Sequence, residues 1–90
     1  RWDYDNWAAL GCSGWSYEDV LPYFRRSEGN IRGADDYHGA VGPLSVSDQK
    51  WPNPTSSAFV DSAAQLQLPQ NADFNGERQE GFGLYQVTQK

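Results

Sequence analysis

Pro22 lies well inside a segment that is otherwise predicted to be a helix, and it limits the folds open to this chain. Ser16 and Asp19 predict where that helix begins, because a serine and an acidic residue at this spacing can cap each other's main-chain N–H groups. Val20 and Phe24 continue the pattern, since side chains four residues apart share a helix face. Pro22 removes a main-chain hydrogen bond, which costs roughly 3 kcal/mol in an unbent helix. We therefore expect a helix that is kinked at Pro22 and stabilised by tertiary contacts.

A shorter helix is predicted to precede it, from Trp2 to Leu10. Asp3 is predicted to cap its N-terminus, and Asp5 places negative charge in the first turn, where the helix dipole favours it. Gly11 is predicted to end the helix in a left-handed turn, which glycine adopts without steric cost. Three tryptophans at the starts or on the apolar faces of these helices are expected to pack in the core: Trp2, Trp7 and Trp15.

A third helix is predicted from Asn53 to Pro69. Asn53 can cap it, Pro54 suits the first helical position because its missing N–H is harmless there, and Pro69 stops it. Its apolar face is expected to comprise Phe59, Val60, Ala63, Ala64, Leu66 and Leu68.

Two extended segments are predicted besides the helices. The stretch from Gly29 to Asn53 has no helical period, and within it Gly42 to Ser47 alternates apolar residues with serines, which indicates a short strand. Phe82 to Gln89 is rich in aromatic and β-branched residues and is predicted to be a second strand, with Tyr85 and Gln86 on opposite faces. The predicted fold class is α+β, with about three helices, the second of them kinked, and one or two short strands.

Composition excludes several classes of protein. The 90 residues carry a net charge of −5, which argues against nucleic-acid binding because phosphate recognition needs a basic surface. No apolar run is long enough to span a membrane. Cys12 is the only cysteine, so no internal disulfide can form, and it is predicted to be a structural thiol in a protein of a reducing compartment.

No set of residues completes a catalytic or metal-binding constellation. His38 lies near Asp35 and Asp36, but a metal site would need further ligands, so we expect a hydrogen bond that anchors its loop. The stretch from Asp73 to Gly76 is partly similar to a calcium loop, yet it lacks the distal glutamate and is predicted to be a turn. Gly81 to Gly83 lacks the third glycine of a phosphate-binding turn.

Four segments carry a family resemblance when they are taken together: DYDNWAALGCSGWSYEDVLPYFRRSE, DDYHGAVGPLSVSD, NPTSSAFVDSAAQL and DFNGERQEGFGLYQVTQK. They resemble, in order and spacing, an internal stretch of the glucose–methanol–choline (GMC) family of flavoprotein oxidoreductases. The similarity is closest to bacterial alcohol and choline dehydrogenases, and it covers Asp3 to Lys90. Cys12 departs from the asparagine that relatives often carry there.

The resemblance implies a parent enzyme that oxidises an alcohol to a carbonyl, passing a hydride to FAD while an active-site histidine takes the hydroxyl proton. The glycine motif for FAD would lie before Arg1 and the catalytic histidine after Lys90, so no catalytic, cofactor-binding or metal-binding residue is assigned here. The chain is interpreted as one segment, 1–90, of the substrate-binding region, with Tyr85 and Gln86 as substrate-cavity candidates. Its expected partners are the rest of the flavoprotein and a small alcohol substrate. The segment alone is expected to bind no FAD and to have no activity.

Other interpretations stay open at this point. The chain starts at Arg1 without an initiator methionine, which favours a piece of a longer protein. The alternative is a free-standing, aromatic-rich module that binds carbohydrate or another protein, with Trp51 in a loop as its stacking residue. Self-association through an exposed edge strand is a further expectation. The parent is expected in the cytoplasm, or peripheral to the inner membrane.

Overall fold

The computed structural model describes all residues from Arg1 to Lys90 and divides them into two compact units, Arg1–Leu44 and Ser45–Lys90. The elements are α1 (Trp2–Ala9), α2 (Tyr17–Ser27), β1 (Glu28–Asn30), β2 (Leu44–Val46) and α3 (Pro54–Gln65). Three helices and two short strands confirm the predicted α+β class. No helix is both long and apolar enough to cross a membrane.

Helix α1 begins at Trp2, as predicted, but it is not capped by the predicted residue. Its N-cap is Arg1, which makes no side-chain capping bond, so the prediction that Asp3 caps the helix is wrong. Asp3 instead lies in the first turn, where its negative charge interacts favourably with the positive end of the helix dipole. The predicted end is confirmed: Gly11 has φ +109°, and its N–H donates to the carbonyl of Ala8. The N–H of Cys12 donates to the carbonyl of Trp7, which completes a Schellman motif.

Helix α2 begins as its sequence predicts. The Ser16 hydroxyl accepts from the main-chain N–H of Asp19 at 3.3 Å, and Asp19 Oδ2 accepts from the N–H of Ser16 at 3.1 Å. The helix continues past Pro22 to Ser27, and a kink at Pro22 stays a prediction. Because Arg25 and Arg26 occupy the last turn, their positive charge lies at the negative end of the helix dipole.

Aromatic contacts join α1 to α2. The ring centroids of Tyr4 and Phe24 are 5.8 Å apart, and those of Trp7 and Trp15 are 6.0 Å apart. The prediction that the tryptophans are core residues is nevertheless wrong within these ninety residues, since Trp2 is 74%, Trp7 47% and Trp15 52% exposed. Two short helices cannot surround an indole on all sides, so a large part of each ring stays exposed.

Strand β2 lies within the predicted Gly42–Ser47 segment, whereas β1 was not predicted. The two pair in a two-stranded sheet, and next to it Gly29 forms an antiparallel bridge with Ala40. The chain between the strands folds back so closely that Gly39 and Gly42 lie against main-chain atoms at the end of α2. Only glycine fits such backbone-to-backbone contacts.

Helix α3 has the predicted start and an earlier end. The Asn53 side chain accepts from the N–H of Thr55 at 2.8 Å, and Pro54 is the first helical residue. The C-cap is Leu66, three residues before Pro69, because a left-handed residue at Gln67, with φ +58°, has already ended the helix. Of the predicted apolar face only Ala63 is buried, at 3% exposure, while Phe59 and Leu66 are 65% and 72% exposed.

Replacing Gln67 by glycine is expected to stabilise the protein. The N–H of Gln67 donates to the carbonyl of Ala64 and that of Leu68 to the carbonyl of Ala63, so Gln67 occupies the left-handed position of a Schellman motif. A side chain there costs about 1 kcal/mol that glycine does not incur. Urea denaturation of Gln67→Gly should therefore show a higher midpoint.

The matched control is Gln65→Gly, at the last helical residue, where glycine is expected to lower stability by up to about 1 kcal/mol. A lower midpoint for Gln67→Gly would contradict the assigned motif.

The segment from Phe82 to Gln89 is not the continuous strand that its composition predicted. Phe82 forms a single bridge with Gln70, and Val87 forms a single bridge with Ser47. Because the two ends pair with different neighbours, neither ladder extends beyond one residue pair. The aromatic and β-branched residues of this segment are thus found in an extended backbone that is not part of a sheet.

Candidate functional site

His38 and Glu28 form a buried polar pair in the first unit. His38 is 7% exposed, and its Nδ1 lies 2.9 Å from both carboxylate oxygens of Glu28. A carboxylate can only accept hydrogen bonds, so Nδ1 carries the shared proton. The prediction that His38 anchors its loop is confirmed by this contact, but the partner, Glu28, was not recognised in the sequence.

The Glu28 carboxylate collects donors from three residues. Besides His38 it accepts from the main-chain N–H of Gly39 at 3.0 Å and from Nδ2 of Asn30 at 3.1 Å. Asp35 Oδ1 supports the same loop by accepting from the N–H groups of Tyr37, at 2.8 Å, and His38, at 2.7 Å. We call Glu28, Asn30, His38 and Gly39 the loop anchor. These hydrogen bonds have a structural role, because they hold the loop between β1 and β2 in place.

The second group of interest comprises the substrate-cavity candidates in the second unit. Tyr85 is 68% exposed, and its ring packs against that of Phe74 with centroids 4.9 Å apart. Gln86 is partly buried, and its Nε2 donates to Oδ1 of Asp48 at 3.0 Å. Tyr85 therefore presents an aromatic surface to solvent, whereas Gln86 is oriented by a carboxylate.

Hydrogen bonds from residues 45–49 fix the main chain of this segment. The N–H of Val87 donates to the carbonyl of Ser47 at 2.8 Å, and the reverse bond is 2.9 Å long. On either side, Gln49 Nε2 donates to the carbonyl of Tyr85 at 3.2 Å and Ser45 Oγ donates to that of Gln89 at 3.0 Å. The side chains of Ser45 and Gln49 thus occupy the positions that main-chain donors would take in a longer ladder. Sequence periodicity could not reveal this support, because it joins segments about forty residues apart.

These residues do not form a cradle for the phosphates of a nucleotide. Gly81 has φ +130° and lies against Pro69 and Asn71, in a turn that opens no helix. The N-termini of α2 and α3 are already capped by the side chains of Ser16 and Asn53. That this chain binds no FAD on its own stays a prediction, and no step at a flavin is assigned to it.

Two other residues singled out in the sequence lie at the surface. Cys12, which was predicted to be a structural thiol, is exposed in the turn after α1. Trp51 is 93% exposed and has no ring partner.

The family model for GMC oxidoreductases matches residues 1–90, which is the whole chain. The chain belongs to the GMC oxidoreductase family. The resemblance that the four sequence segments indicated is thereby confirmed, and the order of helices and loops described above is that of a piece of a larger GMC flavoprotein fold.

Curated relatives of this GMC chain include oxygen-dependent choline dehydrogenases. That of Sinorhizobium fredii is 45% identical over 86 residues, which make up 96% of this chain and 16% of the relative. That of Photobacterium profundum is 45% identical over 89 residues, with 96% and 16% covered. The chain therefore spans about a sixth of the length of the curated relatives it matches.

Solved structures contain the same fold. The crystal structure of pyridoxine 4-oxidase from Mesorbium loti superposes with a TM-score of 0.74 at 30% identity, over 88% of this chain and 16% of that one. An FAD-dependent oxidoreductase from Chaetomium thermophilum gives a TM-score of 0.66 at 30% identity, over 82% of this chain and 15% of its own. Relatives of this GMC chain thus include FAD-dependent oxidoreductases.

Proposed function

We propose that this chain forms part of the substrate-binding region of an FAD-dependent enzyme that oxidises the hydroxyl group of a choline-like alcohol. The observation that carries the proposal is the family match over residues 1–90 together with 45% identity to choline dehydrogenases. In this proposal, other parts of the enzyme bind the flavin and supply the histidine that accepts the hydroxyl proton. The same proposal places the enzyme in the cytoplasm.

The groups that this chain presents support a role in substrate binding. The buried side chains of Asn30 and His38 both contact the Glu28 carboxylate in the loop anchor, and Gly39 and Gly42 allow close backbone contacts. What the chain does present is aromatic surface. Tyr85, packed on Phe74, offers a ring to a ligand, and the positively charged trimethylammonium group of choline is attracted to aromatic faces.

Gln86 complements that ring in the proposed region. Nε2 of Gln86 donates to the carboxylate of Asp48, and this hydrogen bond orients the Gln86 amide. The Asp48 carboxylate that Gln86 contacts is negatively charged, and negative charge favours a cationic substrate. We assign Tyr85 the binding of the cationic end of the substrate and Gln86 a positioning role next to it.

Truncation of Tyr85 tests this assignment in the holoenzyme. Tyr85→Ala is expected to raise KM for choline about tenfold with a smaller change in kcat, because a cation–π contact of about 1.4 kcal/mol is lost from the ground state and the transition state alike. Tyr85→Phe, which keeps the ring, should stay near the wild-type value. Steady-state oxygen consumption with choline gives both constants.

Tyr23→Ala is the matched control, because Tyr23 is 65% exposed but lies on α2 in the other unit. An unchanged KM for Tyr85→Ala, or an equal rise for both alanine variants, would remove Tyr85 from the substrate region. The flavin absorbance of each variant, measured in parallel, separates loss of cofactor from loss of substrate binding.

A further inference from the structure

The turn that precedes Tyr85 along the chain contains an asparagine whose surroundings favour a chemical modification. Asn75 is exposed, its hydrogen bond to Asp73 is made by the main-chain N–H and not by the side-chain amide, and the next residue is Gly76. We infer that Asn75 is a site of spontaneous deamidation, with water as the co-reactant and the main-chain nitrogen of Gly76 as the nucleophile.

The reaction needs a main-chain nitrogen that can reach the side-chain amide. Gly76 has no side chain to shield its nitrogen. Its N–H points to the carbonyl of Asp73 at 3.4 Å, which is longer than an ordinary main-chain hydrogen bond and holds the nitrogen weakly. The N–H of Asn75 donates to Oδ1 of Asp73 at 3.0 Å. The main chain of the turn is therefore held more firmly at the nitrogen of Asn75 than at that of Gly76.

The atoms balance without an oxidant or a cofactor. The nitrogen of Gly76 loses its proton to a base in solution and attacks Cγ of Asn75; a carbon–nitrogen bond forms, and Nδ2 leaves as ammonia after gaining a proton. Water then opens the five-membered imide. Cleavage between Cγ and the nitrogen leaves an aspartate at position 75, and cleavage at the main-chain carbonyl carbon leaves an isoaspartate, in which the chain runs through Cγ.

The other four asparagines of the sequence lack this combination. Asn30 is 4% exposed, and its side chain bonds to Glu28. Asn53 precedes a proline, which has no N–H to lose. Asn71 Nδ2 donates to two carbonyls at 2.7 and 3.1 Å. Asn6 lies within α1, where its main chain is helical.

The product changes the surroundings of the aromatic pair. Either outcome places a new carboxylate at position 75, which is ionised at neutral pH, two residues from Asp73. The isoaspartate also adds one carbon to the main chain of the turn that holds Phe74 against Tyr85. The modification therefore acts on the support of Tyr85 without touching Tyr85 itself.

The test is mass spectrometry of the purified native protein after incubation at mildly alkaline and at mildly acidic pH. We expect a mass shift equal to the replacement of NH by oxygen, growing with time and faster at the higher pH, together with methylation by a protein isoaspartate methyltransferase. Trypsin leaves Asn53, Asn71 and Asn75 in one peptide, between Lys50 and Arg78, so fragment ions are needed to place the shift.

Asn75→Gln is the control variant, because glutamine keeps an amide but would have to close a larger ring. The shift should vanish from that peptide in the variant and persist in the wild type. If the variant still gains the mass, another side-chain amide of that peptide is the reacting group and the inference is wrong. If the native protein stays unmodified while the urea-unfolded chain reacts, the fold protects Asn75, and the inference is equally wrong.

Discussion

Gly39→Ala is expected to destabilise the protein by about 3 kcal/mol or more, the largest effect of any single methyl group added to this chain. A Cβ at Gly39 would overlap the carbonyl oxygen of Arg25 and would lie 2.9 Å from that of Glu28. Both obstacles are main-chain atoms at the end of α2, so no side-chain rotation can relieve the overlap. Urea denaturation followed by tryptophan fluorescence should show a strongly lowered midpoint.

Ala34→Ser supplies the control for this prediction. Ala34 is exposed in the same loop, so an added hydroxyl meets no main chain there and stability should change by less than about 0.5 kcal/mol. A normal midpoint for Gly39→Ala would show that the loop can move away from α2, which the described packing does not permit.

Glu28→Ala is expected to cost about 2–4 kcal/mol, because it leaves buried donors without their acceptor. The side chains of His38 and Glu28 are only 9% and 16% exposed, so water cannot fully replace the carboxylate. The main-chain N–H of Gly39 and Nδ2 of Asn30 lose a partner at the same time. Amide hydrogen exchange at Gly39 should accelerate along with the fall in global stability.

A double-mutant cycle separates the pair from the rest of the loop anchor. Combining Glu28→Ala with His38→Ala should cost less than the sum of the two single changes, since removing both partners leaves fewer unsatisfied groups. Strict additivity would mean that the Glu28–His38 contact contributes no coupling energy. Glu18→Ala, at a carboxylate whose side chain is 77% exposed, is the matched control and should be near neutral.

Short-range chemistry made the starts of α2 and α3 predictable. Ser16 with Asp19, and Asn53 with Pro54, form caps whose partners lie within three residues, so the sequence itself contains the whole interaction. The end of α1 at Gly11 was predictable for the same reason. The end of α3 was not, because a glutamine at a left-handed position carries no signal in the sequence.

Long-range partners account for the features that the sequence did not reveal. Glu28 meets His38 across ten residues only after the loop has folded back, so its place in the loop anchor follows from tertiary structure. The extended segment from Phe82 to Gln89 has the composition of a strand. Whether it pairs in a sheet depends on the segments beside it, and Gln70 and Ser47 each form only one bridge with it. The exposed indoles of Trp2 and Trp7 have the same origin, since burial depends on what else packs on α1.

The hydrogen bonds that Ser45 and Gln49 donate to the carbonyls of Gln89 and Tyr85 affect which positions of this segment can change in evolution. Every amino acid carries a main-chain carbonyl, so the residues that accept these bonds can be substituted without losing them. Ser45 and Gln49 donate through their side chains, so substituting them removes the bonds. The side chains of residues 85–89 can therefore change one at a time while Ser45 and Gln49 hold the main chain in place.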